Sequence, residues 1–185
     1  MKVLSVNVGL PRLVEYRGEP VATGIYKESV AGRVTVNEFN LAGDAQADLT
    51  VHGGYAKAVY VYPSEHYEFW RKELQEMDLP FGVFGENSTT LGLTETDAHV
   101  GDRLKIGTAH FVVTQPRQPC FKLGIRFGRG DIIKRFAKSG RRGFYLAIEK
   151  TGEVGAGDPI EFLSRETKQS SIFEIVRERF NLNRI

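Results

Sequence analysis

Short apolar alternations dominate this chain and constrain its fold more than any other feature. They run over Lys2 to Val8, Arg33 to Phe39, Ala58 to Tyr62, Arg103 to Ile106, Ala109 to Thr114, Phe144 to Glu149 and Pro159 to Leu163. Successive side chains of a strand leave on opposite faces, so alternation marks a strand with one face in a core. Segments so short and so numerous predict a mainly β, barrel-like domain with a few peripheral helices. Gly107-Thr108 between two of them suits a tight hairpin, because glycine supplies the positive φ of a two-residue loop. Gly101-Asp102 and Gly157-Asp158 each precede an alternating run and predict two equivalent strand starts.

Helical spacing interrupts the strands three times. From Pro63-Ser64 to Pro80, Tyr67, Trp70, Leu74 and Met77 share one face, and Glu68 and Lys72 stand four apart outside it. Asp131 is placed to cap a second helix with Ile132, Ile133 and Phe136 inward and Gly140 at its end. Ser171 and Glu174 form a capping box ahead of Ile172, Phe173, Val176 and Phe180. This last helix has to dock on its own domain or on a partner subunit of a homodimer. The length of 185 residues suits one domain, over 1–163, followed by a linker and helix over 164–185.

Apolar residues make up 41% of the chain, with 20 glycines besides, which excludes disorder of the whole chain. No apolar run approaches the ~18 residues of a membrane helix. The N-terminus alternates as a strand does and lacks the form of a signal peptide. A single cysteine, Cys120, excludes an internal disulfide and a cysteine-based zinc site. These features together predict a soluble, cytoplasmic protein.

The net charge of +2 conceals an asymmetry. Between Arg117 and Arg142 nine basic residues meet one acid, Asp131, for +8, which leaves −6 on the rest of the chain. Clustered cations focus a positive potential into any cleft they line, and favour a phosphate, a phosphorylated cofactor or nucleic acid. A nucleic-acid-binding module would also need exposed aromatic rings among the basic residues for stacking. Phe121, Phe127 and Phe136 read instead as core.

Three segments carry candidate chemistry. In Gln115-Pro116-Arg117-Gln118-Pro119-Cys120 two prolines stiffen the approach to the thiol, while Arg117 and Lys122 favour its ionised form, a nucleophile and soft ligand. A buried, inert thiol is the alternative. His52-Gly53-Gly54 either brings backbone amides close to a ligand or makes a turn. Glu86 and Asn87 in Phe84-Gly85-Glu86-Asn87 either offer an acceptor and an amide to a heterocycle or pair with loop backbone. The four histidines lack the spacing of a zinc hydrolase, and no phosphate-loop or dinucleotide-binding glycine pattern is present.

The succession Gly43-Asp44-x-Gln46-Ala47-Asp48, His52-Gly53-Gly54, Ala58-Val59-Tyr60, Phe84-Gly85-Glu86-Asn87, Gly101-Asp102 and Gln115-Pro116-Arg117-x-Pro119-Cys120 resembles the MOSC domain, named for the C-terminal domain of molybdenum cofactor sulfurase. The resemblance is to its stand-alone bacterial YiiM-type branch and covers about residues 1–163. It implies a MOSC-type β-barrel-like fold with an open cleft and one essential cysteine, here Cys120, which ligates molybdenum or carries sulfur as a persulfide. It implies molybdenum cofactor and the reduction of N-hydroxylated bases, and a longer helical extension where this chain has about one helix. On that reading Cys120 is both catalytic residue and metal ligand. His52, Gly53, Gly54, Lys57, Glu86 and Asn87 would bind pterin or substrate, and Arg117, Arg141 and Arg142 the cofactor phosphate. The substrate is a small molecule, and a separate reductase supplies electrons, since no flavin or iron–sulfur motif is recognisable here. A sulfur carrier using a Cys120 persulfide is the alternative role.

Overall fold

The computed structural model of the chain describes residues 1–47 and 54–179. Its first strands are β1 (Lys2–Val8), β2 (Arg12–Tyr16), β3 (Glu19–Thr23), β4 (Glu28–Ser29) and β5 (Arg33–Val36). A 3-10 turn (Tyr55–Lys57), β6 (Val59–Pro63), α1 (Glu65–Glu73), β7 (Ser88–Leu91), β8 (Arg103–Ile106) and β9 (Ala109–Pro116) follow. The chain continues through α2 (Phe121–Phe127), α3 (Asp131–Ser139), β10 (Phe144–Lys150), β11 (Gly152–Gly155), β12 (Ile160–Ser164) and α4 (Ile172–Arg179).

Eight strands form one sheet in the order β12-β8-β9-β10-β6-β7-β1-β4. Neighbours are antiparallel except β6 and β7, which run parallel. The sheet curls until β1 meets β12: the Val3 amide donates to the Asp158 carbonyl at 2.9 Å, and the Ile160 amide to the Met1 carbonyl at 3.1 Å. Closure satisfies backbone groups that an open edge would leave unpaired. β2–β3 and β5–β11 are separate two-stranded ribbons.

β6 explains how the molecule builds two cores. All five of its residues are buried, because the strand is covered on both faces. Val59 and Val61 enter the barrel interior with Val6, Leu104, Phe111 and Leu146. Tyr60 and Tyr62 enter a second cluster with Trp70, Phe84, Phe127 and Phe136, beneath α1, α2 and α3. Trp70 Nε1 donates to the Tyr62 hydroxyl at 2.7 Å, so the polar tips in this aromatic layer are paired.

Several expected boundaries move. The strand expected to reach Phe39 stops at Val36, where the Asn37 amide turns back to the Asn40 carbonyl at 2.9 Å. The helix expected to run to Pro80 stops at Glu73; Leu74 leaves helical geometry at φ −132°, yet remains fully buried. Gly130, not Asp131, precedes α3 as its cap, and the Asp131 carboxylate instead takes Arg129 Nε and Nη2 at 2.7 and 2.8 Å. The Ser171–Glu174 box forms reciprocally, and α4 docks on its own domain through Ile172 and Val176. Phe121, expected in the core, is 42% exposed and rests against Tyr16, with ring centres 5.7 Å apart. Phe127 and Phe136 are buried as expected.

Gly143, at the start of β10, has φ +64°, and a Cβ there would lie 2.2 Å from the Val61 carbonyl oxygen. Only glycine lets β10 approach β6 so closely. Gly143→Ala is expected to cost roughly 3 kcal/mol or more, read as a lower urea midpoint with an unchanged slope.

Candidate functional site

A cleft of about 100 Å³ opens where the stretch from Thr23 to Lys27, the turn carrying Asp44 to Ala47, and the segment after β9 converge on Tyr60 and Tyr145. Among the described residues four cations line it, Lys27, Lys57, Arg117 and Lys122, against one carboxylate, Asp44, and Cys120 stands on the same wall. Sequence clustering foresaw only part of this. Of the nine basic residues between Arg117 and Arg142, Arg117 and Lys122 line the cleft, and Lys27 and Lys57 arrive from distant segments.

Four of the remaining basic residues are engaged elsewhere. Arg129 pairs with Glu76 and Asp131, and Arg135 with Glu73 and Asp131. Arg141 lies 4.1 Å over the Phe69 ring, and Arg142 is buried with Nη2 donating to the Ala137 carbonyl at 2.6 Å. Arg141 and Arg142 are therefore not brought to the cleft. Arg129 and Arg135, committed to carboxylates, do not form an open basic stripe of the kind that tracks a nucleic-acid backbone.

Arg117 is the most constrained of the lining cations. β9 ends at Pro116, and the Arg117 amide donates to the Gly143 carbonyl at 3.2 Å. Its guanidinium is 6% exposed, lies 4.5 Å over Tyr60 and 5.5 Å over Phe136, and donates Nη1 to the Phe84 carbonyl. No carboxylate pairs with it among the described residues. Burial opposes its charge, but Tyr60, Tyr145 and the Cys120 thiol outweigh that and raise its pKa. A buried guanidinium without a counter-ion favours an anion beside it.

Cys120 caps α2 with extended backbone (φ −127°, ψ 174°) and is half-buried. A fully buried thiol would be chemically inert; this one faces a cleft. The described residues contain no cluster of three or more His, Cys, Asp or Glu able to hold a metal ion. Among the described residues Cys120 is the soft donor that this cleft offers, which suits a metal that brings further ligands of its own.

Glu86 lies behind the wall. Its Oε1 accepts from the Gly82 amide at 2.8 Å, from Thr89 Oγ1 at 2.9 Å and from the Tyr67 hydroxyl, while burial pushes its pKa up. It thus shapes the loop whose Phe84 carbonyl holds Arg117 and whose Gly85 and Asn87 reach the cleft. Asn87 lines the cleft and spends both ends of its amide on protein, Oδ1 on the Tyr60 amide at 3.1 Å and Nδ2 on Asp44 Oδ2 at 2.9 Å. Gly54 donates to Gln46 Oε1 at 3.3 Å, and Gln46 Nε2 donates to the Lys57 carbonyl at 2.9 Å, which ties this turn to the cleft. His52 and Gly53 lie outside the described residues.

Sequence reasoning missed Lys27, Asp44, Gln46, Tyr60 and Tyr145 as site residues. Asp44, Gln46 and Tyr60 stand within the motif succession and could have been drawn from it. Lys27 carries no such signal.

Residues 48–161 match the MOSC domain. YflK of Bacillus subtilis is 43% identical over 170 residues, 92% of this chain and 76% of that protein. A protein named "Reductase" from Gibberella moniliformis is 35% identical over 178 residues; the match takes in 95% of this chain but spans only 31% of that protein. The crystal structure of YiiM from Geobacillus stearothermophilus superposes with a TM-score of 0.81 at 33% identity, over all of this chain and 86% of the other. Domain match, relatives and fold agree: the chain belongs to the MOSC domain family, in its stand-alone bacterial YiiM-type branch.

Proposed function

We propose that this protein binds molybdenum cofactor and is the terminal reductase component for N-hydroxylated bases or related small molecules, with Cys120 as thiolate ligand to molybdenum. The observation that carries this reading is the donor set that the described residues bring to the cleft: one half-buried thiol, four cations against one carboxylate, and two tyrosine rings. That set fits a group which is anionic, contains a heteroaromatic ring and brings a metal with ligands of its own. When bound, the cofactor supplies two-electron chemistry at a metal with an open position.

The residues of the chain then have distinct tasks. Cys120 offers soft sulfur, which molybdenum accepts and which tunes its redox behaviour. Arg117, Lys57 and Lys122 hold the phosphate. Asn87 shapes the wall around pterin or substrate, Gly54 acts through the turn that Gln46 ties to the cleft, and Tyr145 offers a ring face to a planar heterocycle. Electrons come from a separate reductase. Protein purified from a host that makes the cofactor is expected to contain molybdenum and pterin in equal amounts, and to convert a hydroxylaminopurine to the aminopurine with reduced viologen. Protein from that host with neither metal nor activity would defeat the proposal.

The exposure of Cys120 to the cleft also suits a persulfide carrier. Intact-mass measurement distinguishes the two, since a carrier retains one extra, cyanide-labile sulfur on Cys120.

A further inference from the structure

The ligand-binding reading leaves one buried pair in the cleft unused. Lys27 precedes β4, Asp44 follows β5, and both line the cleft at 7% and 5% exposure. A pair of opposite charges withdrawn from water is often no better for stability than apolar residues of the same volume. Stability therefore does not explain it. Asp44 is held from three segments: Lys27 Nζ and the Gly9 amide, at 3.0 Å, donate to Oδ1, and Asn87 Nδ2 donates to Oδ2 at 2.9 Å. The Lys27 ammonium has three N–H donors, and its partner among the described residues is Asp44 alone. Two donors remain for whatever enters the cleft.

We propose that Lys27, positioned by Asp44, is the proton donor to the oxygen that leaves an N-hydroxylated substrate. This rests on the function proposed above. The reaction R–NH–OH + 2 e⁻ + 2 H⁺ → R–NH₂ + H₂O breaks one N–O bond. The two electrons come from the reductase or from reduced viologen. The Lys27 ammonium gives one proton to the departing oxygen, which leaves as water, and solvent gives the second to nitrogen. Water then reprotonates the Lys27 amine. Unprotonated oxygen is a poor leaving group, and a placed general acid contributes about 10²–10⁴-fold. Burial lowers the Lys27 pKa below that of an ordinary lysine, against the opposing pull of Asp44 and, more weakly, Glu86, which makes it the better acid at neutral pH. The cations Lys57, Arg117 and Lys122 share the cleft with it.

Lys27→Arg separates this role from a structural one. Arginine keeps the charge and the pairing with Asp44 but does not release a proton near neutrality. The variant, purified as holoprotein, is expected to keep its melting temperature and molybdenum content while kcat falls by about 10²-fold or more. In the cofactor-free wild type, the ¹⁵N-lysine Nζ signal missing from Lys27→Arg is expected to titrate below the exposed lysines, and lower still in Asp44→Asn. Retention of a third or more of kcat in Lys27→Arg, or a Lys27 titration matching the exposed lysines, would overturn the proposal. A wild-type holoprotein that contains molybdenum but reduces no N-hydroxylated base defeats the underlying function and this role together. An active wild type with an equally active Lys27→Arg defeats this role only.

Discussion

Cys120→Ser protein, expressed beside the wild type in a host that makes the cofactor, is expected to contain less than about a tenth of the wild-type molybdenum. The substitution exchanges a soft sulfur for a hard hydroxyl oxygen, a far poorer ligand to this metal. Reductase activity should fall at least in proportion. The fold should not suffer, because Cys120 is half-buried at the first turn of α2 and serine is itself a good capping residue. Melting temperature should stay close to wild type, within the ~0.5 kcal/mol usual for substitutions outside the core. Metal analysis with a parallel thermal melt checks both halves. Wild-type metal content in Cys120→Ser would remove Cys120 as an indispensable ligand.

A further large loss of stability is expected away from the cleft floor, at Glu95. This carboxylate is 3% exposed; its Oε1 accepts from the Arg142 and Gly143 amides at 3.0 and 2.7 Å, and its Oε2 pairs with His66 Nε2 at 2.7 Å. It fixes the crossing from α3 into β10, the backbone to which Arg117 is hydrogen-bonded. Burial opposes its ionisation, but His66 and the amides more than offset this and hold its pKa below 4.5. Glu95→Gln keeps the shape but loses the charge and turns a donor toward groups that already donate. It should cost roughly 3 kcal/mol near neutral pH. A depressed carboxylate pKa adds stability that is fully present above the unfolded value near 4.5 and lost as pH falls through the folded value. The gap between wild type and variant should therefore narrow below about pH 4.5. Urea denaturation at neutral and acidic pH tests this, and a gap independent of pH would show that charge is not what Glu95 contributes.

Much of the barrel was legible because its signals are local. β1 and β8 fall where alternation places them, and β9, β10 and β12 deviate only at their ends. The hidden elements lacked an apolar signature. β7 reads Ser-Thr-Thr-Leu, with buried hydroxyls satisfied by partners such as Glu86 and not by apolar contact. The β2–β3 ribbon leaves Leu13 73% exposed, so no buried face organises its sequence. α2 is seven residues long and too brief for helical periodicity to show.

The cleft divides the same way. Cys120, Arg117 and Asn87 stood out as motif residues or through an unusual neighbourhood. Lys27 did not, because a lysine between two strands has no local mark of burial; only the closing of the Gly9, Asp44 and Asn87 segments around it removes its water.

Alternation, caps and motif order are properties of neighbours in the chain, and they were enough to determine a mainly β barrel and its family, and to single out Cys120 as a candidate. Which cations share the cleft with Cys120 depends on contacts between segments far apart in sequence. Charge clustering along the chain pointed to Arg141 and Arg142, while folding turned them away and set Lys27 beside the Lys57 that motif position had already named, because the electrostatics of a cleft follow distance in space.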